Sequence, residues 1–379
     1  AALVAAALVG ACTSGGEREA APSTTATTST TAAPDPVRLD QVQVLGTHNS
    51  YHVAPEPALL DAIRAVDPAL ADSLEYGHPP LDEQLDAGIR QLELDVFADP
   101  DGGHYADPAG PAAVGLPGPP RAPLEEPGFK VFHVQDVDQT STCPTLVRCL
   151  QIVRDWSAGH PGHVPIVVLV EVKDEPIPDP GLGFAVPLPV GPAELDALDA
   201  EIRSVFPEDR LVTPDLVRGD AATLEDAVLD AGWPAVDDVR GRVLFALDNE
   251  DGHRDDYVAG HPSLAGRVLF TSSPPGSPEA AFVKRNDPVA DGAEIRRLVA
   301  QGYLVRTRAD ADTVQARTGD TAQRDAAFAS GAQLVSTDYP EDDPGLPADY
   351  AAVLPGGGTI RCNPVSAPPG CVTADLEPG

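Results

Sequence analysis

Four apolar runs in this chain end on residues that a buried strand does not need. They are "VQVLGTHN" (42–49), "QLELDVF" (91–97), "KVFHVQD" (130–136) and "VVLVEVKD" (167–174). Alternation along a strand puts Glu93 and Asp95 on one face, about 7 Å apart, with Leu92, Leu94 and Val96 on the other. Two carboxylates held this way repel each other unless something positive lies between them, and a metal ion supplies that charge economically. The run at 167–174 repeats the device with Glu171 and Lys173 on one face. His133 and Gln135 share a face in the third run; in the first, His48 ends the strand and Asn49 begins the turn.

Collected, Asn49, Glu93, Asp95 and Glu171 offer the all-oxygen set that a hard cation prefers, Ca2+ first and Mg2+ second. His48 and His133 are left for proton transfer, which suits a side chain whose ordinary pKa lies near neutrality. A cation with a pair of imidazoles is equipment for attack on a phosphodiester. Each residue taken alone has a plainer reading. An E-x-D can brace loops, a histidine can sit satisfied in a core, and an asparagine can cap a turn. Their coincidence at the ends of four successive strands favours an active site.

The elements that must position them alternate. Strand-like runs at 42–48, 91–97, 129–135, 165–173, 242–248, 267–272, 303–308 and 332–338 are separated by helical stretches such as "PLDEQLDAGI", "PTLVRCLQIVRDW", "GPAELDALDAEIRSVF" and "GAEIRRLVAQG". Continuous β-branched runs such as "PIVVLVEV" suit a sheet covered on both faces. Eight strands and helices over residues 37–340 predict a single (β/α)8 barrel of the TIM type, with an open doubly wound sheet as the alternative. Pro/Gly/Asp-rich insertions at 98–128 and 174–192 follow strands, where barrel loops build a rim. Residues 341–379 read as an irregular tail packed on the barrel and closed by a disulfide.

The chain has 379 residues, 42% of them apolar, and a formal charge of −34. Such acidity argues against nucleic acid as a partner and against unassisted binding to an anionic membrane. No protein partner is implied. Residues 1–12, "AALVAAALVGAC", read as the remainder of an export signal, too short to span a bilayer. "LVGAC" resembles a bacterial lipoprotein cleavage box, which would anchor an exported protein to the outer face of the membrane through Cys12; plain secretion is the alternative. Residues 13–36, rich in Ser, Thr, Ala and Pro, predict a disordered tether spanning about 27 Å on average. The remaining cysteines, Cys143, Cys149, Cys362 and Cys371, allow three pairings, of which two local bridges are the simplest. A bridge from Cys143 to Cys149 needs Cys143 to precede its helix, with Pro144 suited to the first helical position.

"GTHNSYH", "LDEQLDAGIRQLELDV", "FHVQD" and "LVEVKDE", in that order, resemble the calcium-dependent phosphatidylinositol-specific phospholipases C, in particular the secreted actinobacterial ones. The resemblance runs from about 41 to 340. It implies a TIM-barrel phosphodiesterase with Ca2+ on Asn49, Glu93, Asp95 and Glu171, and with His48 and His133 as the catalytic histidines. The implied reaction is attack by an inositol hydroxyl on phosphorus, releasing diacylglycerol and a cyclic inositol phosphate. His133 would be the acid, and His48 would stabilise the phosphoryl group or assist as base; either His48 or a calcium-bound carboxylate would take the hydroxyl proton. The implied partner is a phospholipid at a membrane or micelle surface. Lys173, Asp248 and Arg306 are the candidates for holding its headgroup. With so few cations there, plain phosphatidylinositol or a related glycolipid is expected over polyphosphorylated headgroups.

Two other readings stand beside this one. Glycerophosphodiester phosphodiesterases share the barrel, the E-x-D pair and a second histidine, but their first motif usually reads His-Arg-Gly where this chain has His48-Asn49-Ser50. A cell-surface binder of inositol lipid without catalysis would have no use for two histidines facing a metal.

Overall fold

Short, buried, largely β-branched segments build the centre of the molecule. A computed structural model describes residues 35–250 and 252–377; the readings for residues 1–34, Cys12 among them, lie outside the described residues. The barrel strands are β1 (Val42–Thr47), β2 (Gln91–Phe97), β3 (Ile166–Val172), β4 (Val243–Leu247), β5 (Leu269–Thr271), β6 (Phe282–Lys284), β7 (Leu304–Arg308) and β8 (Leu334–Thr337). Neighbours pair in parallel from β1 to β5, from β6 to β8, and from β8 back to β1. The curled sheet closes between β5 and β6 through one bridge, Ser272 to Phe282. Helices cover the outside, among them Leu146–Gly159, Pro192–Val205 and Pro288–Gln301. This is an α/β barrel of the expected class.

Two features correct the strand assignment read from the sequence. The run 129–135 contributes only Lys130–Val131, paired antiparallel to the end of β2. Beyond it the chain folds back on itself, with Val134 bridged to Asp138 and Asp136 at φ +63°. The place in the barrel is taken by β6, three residues long and preceded by "SSPPGSPEA", which offers no periodicity to read.

β1 and β2 share a single register pair, Gly46 with Gln91. Glycine is required there because a Cβ would overlap the Gln91 side chain. Further along, the join is made by Ser50, whose N–H donates to the Glu93 carbonyl and whose Oγ accepts from the Glu93 N–H, at 2.9 and 2.8 Å.

Disulfides join Cys143 to Cys149 and Cys362 to Cys371. Cys143 precedes the helix Leu146–Gly159, whose N-cap is Thr145, so Pro144 lies outside the helix and not at its first position. Residues 360–362 add an antiparallel strand to β1, and Leu376 enters the core. Glu377 grips Arg90 through two oxygens at 2.7 and 2.8 Å and accepts from the Val164 N–H at 2.7 Å, at the end of the barrel where the strands begin.

His163 is buried at that same end; its Nε2 pairs with Ser157 Oγ at 2.7 Å and its Nδ1 with the Val164 carbonyl at 2.6 Å. Burial pushes its pKa down to about 4 from 6.5. The unfolded chain takes up a proton near pH 6.5 that the folded chain refuses until about pH 4. His163 therefore adds its full stabilisation above pH 6.5 and loses it on descent to pH 4, at up to about 1.4 kcal/mol per pH unit. In urea unfolding across that window, His163→Gln is expected to flatten the slope of stability against pH. An unchanged slope would show that His163 contributes none of it.

Candidate active site

The site lies where β1, β2, β3, β4, β7 and β8 end. At the end of β1, Asn49 takes φ +46°, a left-handed turn that Asn tolerates better than most side chains. The turn ends the strand and presents His48 and Asn49 together. Asn49 Nδ2 donates to Tyr76 Oη at 3.0 Å. This fixes the amide so that Oδ1, buried and without a hydrogen-bond partner, is left for another group.

Around it stand the carboxylates. Oxygens of Glu93, Glu171 and Asp248 approach within 4.8 Å of one another. Asp95 is 1% exposed, and neither of its oxygens has a hydrogen-bond partner among the described residues. Three cations offset part of this charge. Arg306 pairs with Glu93 at 2.6 Å, Lys173 with Glu171 at 3.0 Å and Asp95 at 3.4 Å, and Lys284 with Asp248 at 2.7 Å. Burial still pushes Glu93 up to about 8 and Asp95 up to about 7, because Arg306 and Lys173 offset it only in part. The unpartnered Asn49 Oδ1, and Asp95 Oδ1 with no hydrogen bond beside an Oδ2 that only Lys173 approaches, fit a hard divalent cation among under-neutralised carboxylates.

Each histidine is held by an aspartate. His48 Nδ1 lies 2.8 Å from Asp338 Oδ1, and its Nε2 faces Arg308 at 3.4 Å and Glu93 at 3.8 Å. Burial, reinforced by Arg308, pushes the His48 pKa down to about 3 against the pull of Asp338. Burial opposes ionisation of Asp338, but His48 and Arg308 outweigh it and hold the carboxyl well below the usual range. His48 is therefore neutral; Nδ1–H donates to the carboxylate, and the Nε2 lone pair accepts a long bond from Arg308 at 3.4 Å on the site side.

His133 Nδ1 lies 2.9 Å from Asp138 Oδ2, and the same oxygen takes His52 Nε2 at 2.7 Å. Burial would raise the Asp138 pKa, but His52 and His133 together bring it below the ordinary value. Tyr76 packs between the two groups, its ring 4.3 Å from His52 and 6.4 Å from His48. A cavity of about 300 Å³ opens on His133, Gln135, Glu171, Lys173, Asn249 and His253.

The structure thus gathers Asn49, Glu93, Asp95, Glu171, His48 and His133 at one end of the barrel. Lys173 lines the cavity. Asp248, read from the sequence as a hydroxyl acceptor, sits among the carboxylates in an ion pair with Lys284. Arg306 is 1% exposed and fully engaged by Glu93, Asn286 and Ser336, so it braces Glu93 and does not face the cavity. Sequence reasoning missed Asp138, Asp338, Arg308, His52, Tyr76 and Lys284. Faint signals existed: Asp338 ends the last strand in "VSTDYP", and Asp138 follows His133 by five residues.

A family model described as phosphoinositide phospholipase C, Ca2+-dependent, matches residues 37–364. No curated protein matches the sequence. Among solved structures, a calcium-dependent phosphoinositol-specific phospholipase C from a Gram-negative Pseudomonas sp. is similar in its apo form: it is 18% identical, the match covers 86% of this chain and 95% of that one, and the TM-score is 0.52. For the same enzyme's myoinositol complex the values are 17%, 86%, 96% and 0.53. At these identities the likeness is one of fold.

Proposed function

Because the chain belongs to the Ca2+-dependent phosphoinositide phospholipases C, phosphoric diester hydrolases, we propose that it splits phosphatidylinositol with His48 and His133 as the proton-transferring pair. An inositol hydroxyl attacks phosphorus and gives its proton to Nε2 of His48, whose Nδ1–H is committed to Asp338. His133, steadied by Asp138, gives a proton to the departing glycerol oxygen. The products are diacylglycerol and a cyclic inositol phosphate. Asn49, Glu93, Asp95 and Glu171 would hold calcium, with Asp248 as a further oxygen. Bound there, calcium neutralises charge on the phosphate. Lys173 and Arg308 bring the remaining positive charge to the phosphate side.

The observation that carries this reading is the occurrence of Asn49 Oδ1 and Asp95 Oδ1, buried and without a hydrogen bond, beside two Asp-held histidines. The shortage of cations around the cavity supports an unphosphorylated inositol headgroup, since Lys173 is already shared by Asp95 and Glu171. Two disulfides support action outside the cytosol, on phospholipid presented by a membrane or micelle. A lipid anchor at Cys12 rests on the sequence alone.

The test follows water-soluble inositol phosphate released from phosphatidylinositol micelles, with calcium and then with excess chelator. Release that chelator abolishes and added calcium restores is the expected result. Cleavage of glycerophosphoinositol in place of the intact lipid would remove the diacylglycerol assignment.

A further inference from the structure

A second hollow adjoins the catalytic cavity and differs from it in chemistry. It is a groove of about 670 Å³ walled by apolar side chains, among them Leu59, Ile63, Leu74, Val114, Val137 and Phe184. Val134 and Ile177 line both hollows. Val134 follows His133 and Val137 precedes Asp138, so the turn that carries the His133–Asp138 pair also forms part of the groove wall.

The two acidic residues in the groove lining, Asp67 and Asp179, have their carboxylates engaged by backbone N–H groups. Asp67 accepts from the N–H groups of Ala69 and Leu70, and Asp179 from those of Gly181, Leu182 and Gly183. Large apolar side chains stand open at its edge: Val66 is 88% exposed, Leu182 48% and Leu70 44%.

We infer that this groove holds an acyl chain of the phospholipid whose phosphate lies at His133. The inference rests on the phospholipase reading above. The volume falls in the range of ligand sites, and contiguous exposed apolar surface of this kind marks a binding surface. Its position selects the occupant. In the proposed reaction His133 protonates the glycerol oxygen, so the glycerol and its chains leave the phosphate on the side of His133, where the groove begins. The inositol ring then stays with the polar cavity. A net charge of −34 gives the protein little help in approaching anionic bilayers, so an apolar seat for one chain supplies attraction that surface charge does not.

The experiment uses phosphatidylinositols with chains from dibutanoyl to dioctanoyl, each below its micelle concentration, beside the nitrophenyl ester of inositol phosphate, which has no chain. The wild-type kcat/KM is expected to rise about fourfold per methylene seated in the groove. Ala62→Trp and Ala113→Trp place an indole in the groove from exposed positions. Each is expected to flatten the chain-length response and to keep kcat/KM on the nitrophenyl ester within twofold of wild type. Unchanged unfolding midpoints in both variants tie the flattening to the groove.

Cleavage of the ester with a flat chain-length response in the wild type overturns the groove assignment alone. So does a loss in the variants seen only on vesicles, which would make the groove a bilayer-docking face. Cleavage of neither substrate by the wild type overturns the phospholipase reading, and the groove assignment with it.

Discussion

His133→Ala is expected to lower kcat/KM on phosphatidylinositol about 10³-fold and to cost the fold little. The leaving group is an alkoxide, a poor one unless protonated as the bond breaks, and general acid catalysis is worth about 10²- to 10⁴-fold. The side chain is 24% exposed and joins the rest of the fold through Asp138. Asp138 would keep its bond to His52 at 2.7 Å, so no buried carboxylate is left without a partner. The stability cost should be about 1 kcal/mol. The nitrophenyl ester makes the diagnosis, because nitrophenolate leaves without a proton. On that substrate the variant should lose less than about tenfold. Equal losses on lipid and ester would place the role of His133 elsewhere, in binding the phosphate or in removing the hydroxyl proton.

Asp338→Asn should reduce kcat about 10³-fold with a smaller change in KM, by analogy with the loss seen when the aspartate orienting a catalytic histidine becomes an amide. Asp338 does two things. One oxygen accepts from His48 Nδ1–H at 2.8 Å, which leaves Nε2 as the acceptor; the other pairs with Arg308 at 3.0 Å. An amide presenting its NH2 to Nδ1 inverts that tautomer and points N–H at the inositol hydroxyl. Arg308, 13% exposed, also loses its counter-charge, at a cost of about 1.5 to 3 kcal/mol. Activity should therefore be measured well below the variant's own unfolding midpoint. A kcat within tenfold of wild type on a folded protein would remove Asp338 from the proton path.

The strand ends that make the site were legible because a period of two is read locally. "QLELDVF" shows its inward and outward residues within seven positions, and the structure places Glu93 and Asp95 inside as that alternation requires. The same local pattern misled at "KVFHVQD", where Asp136 in a left-handed conformation turns the chain before a barrel strand can form. β6 was invisible for another reason: its three residues follow the Pro- and Gly-rich "SSPPGSPEA", which reads as loop. The partners of the histidines are a matter of tertiary distance. Asp338 lies 290 positions from His48, and nothing local separates it from the other acidic residues of an acidic chain. Arg306 shows the limit from the other side: its presence near the site was readable, but its engagement with Glu93 depends on two strand ends meeting across the barrel.

The single bridge between Ser272 and Phe282 makes this barrel a candidate for circular permutation. The intervening residues include Pro274, Pro275, Gly276 and Pro278, and Gly276 is exposed with no neighbour near its Cβ position. Near the first and last described residues, Cys362 already pairs with Val42, so a short linker from residue 377 to residue 35 need not cross the molecule. A chain cut at Gly276 and joined through that linker should keep every β1–β2, β2–β3 and β8–β1 contact that frames the histidines. It is expected to retain calcium-dependent activity within about tenfold while opening earlier between β5 and β6 in hydrogen exchange. Loss of the fold in that permutant would mean that one bridge holds the ring together more firmly than its length suggests.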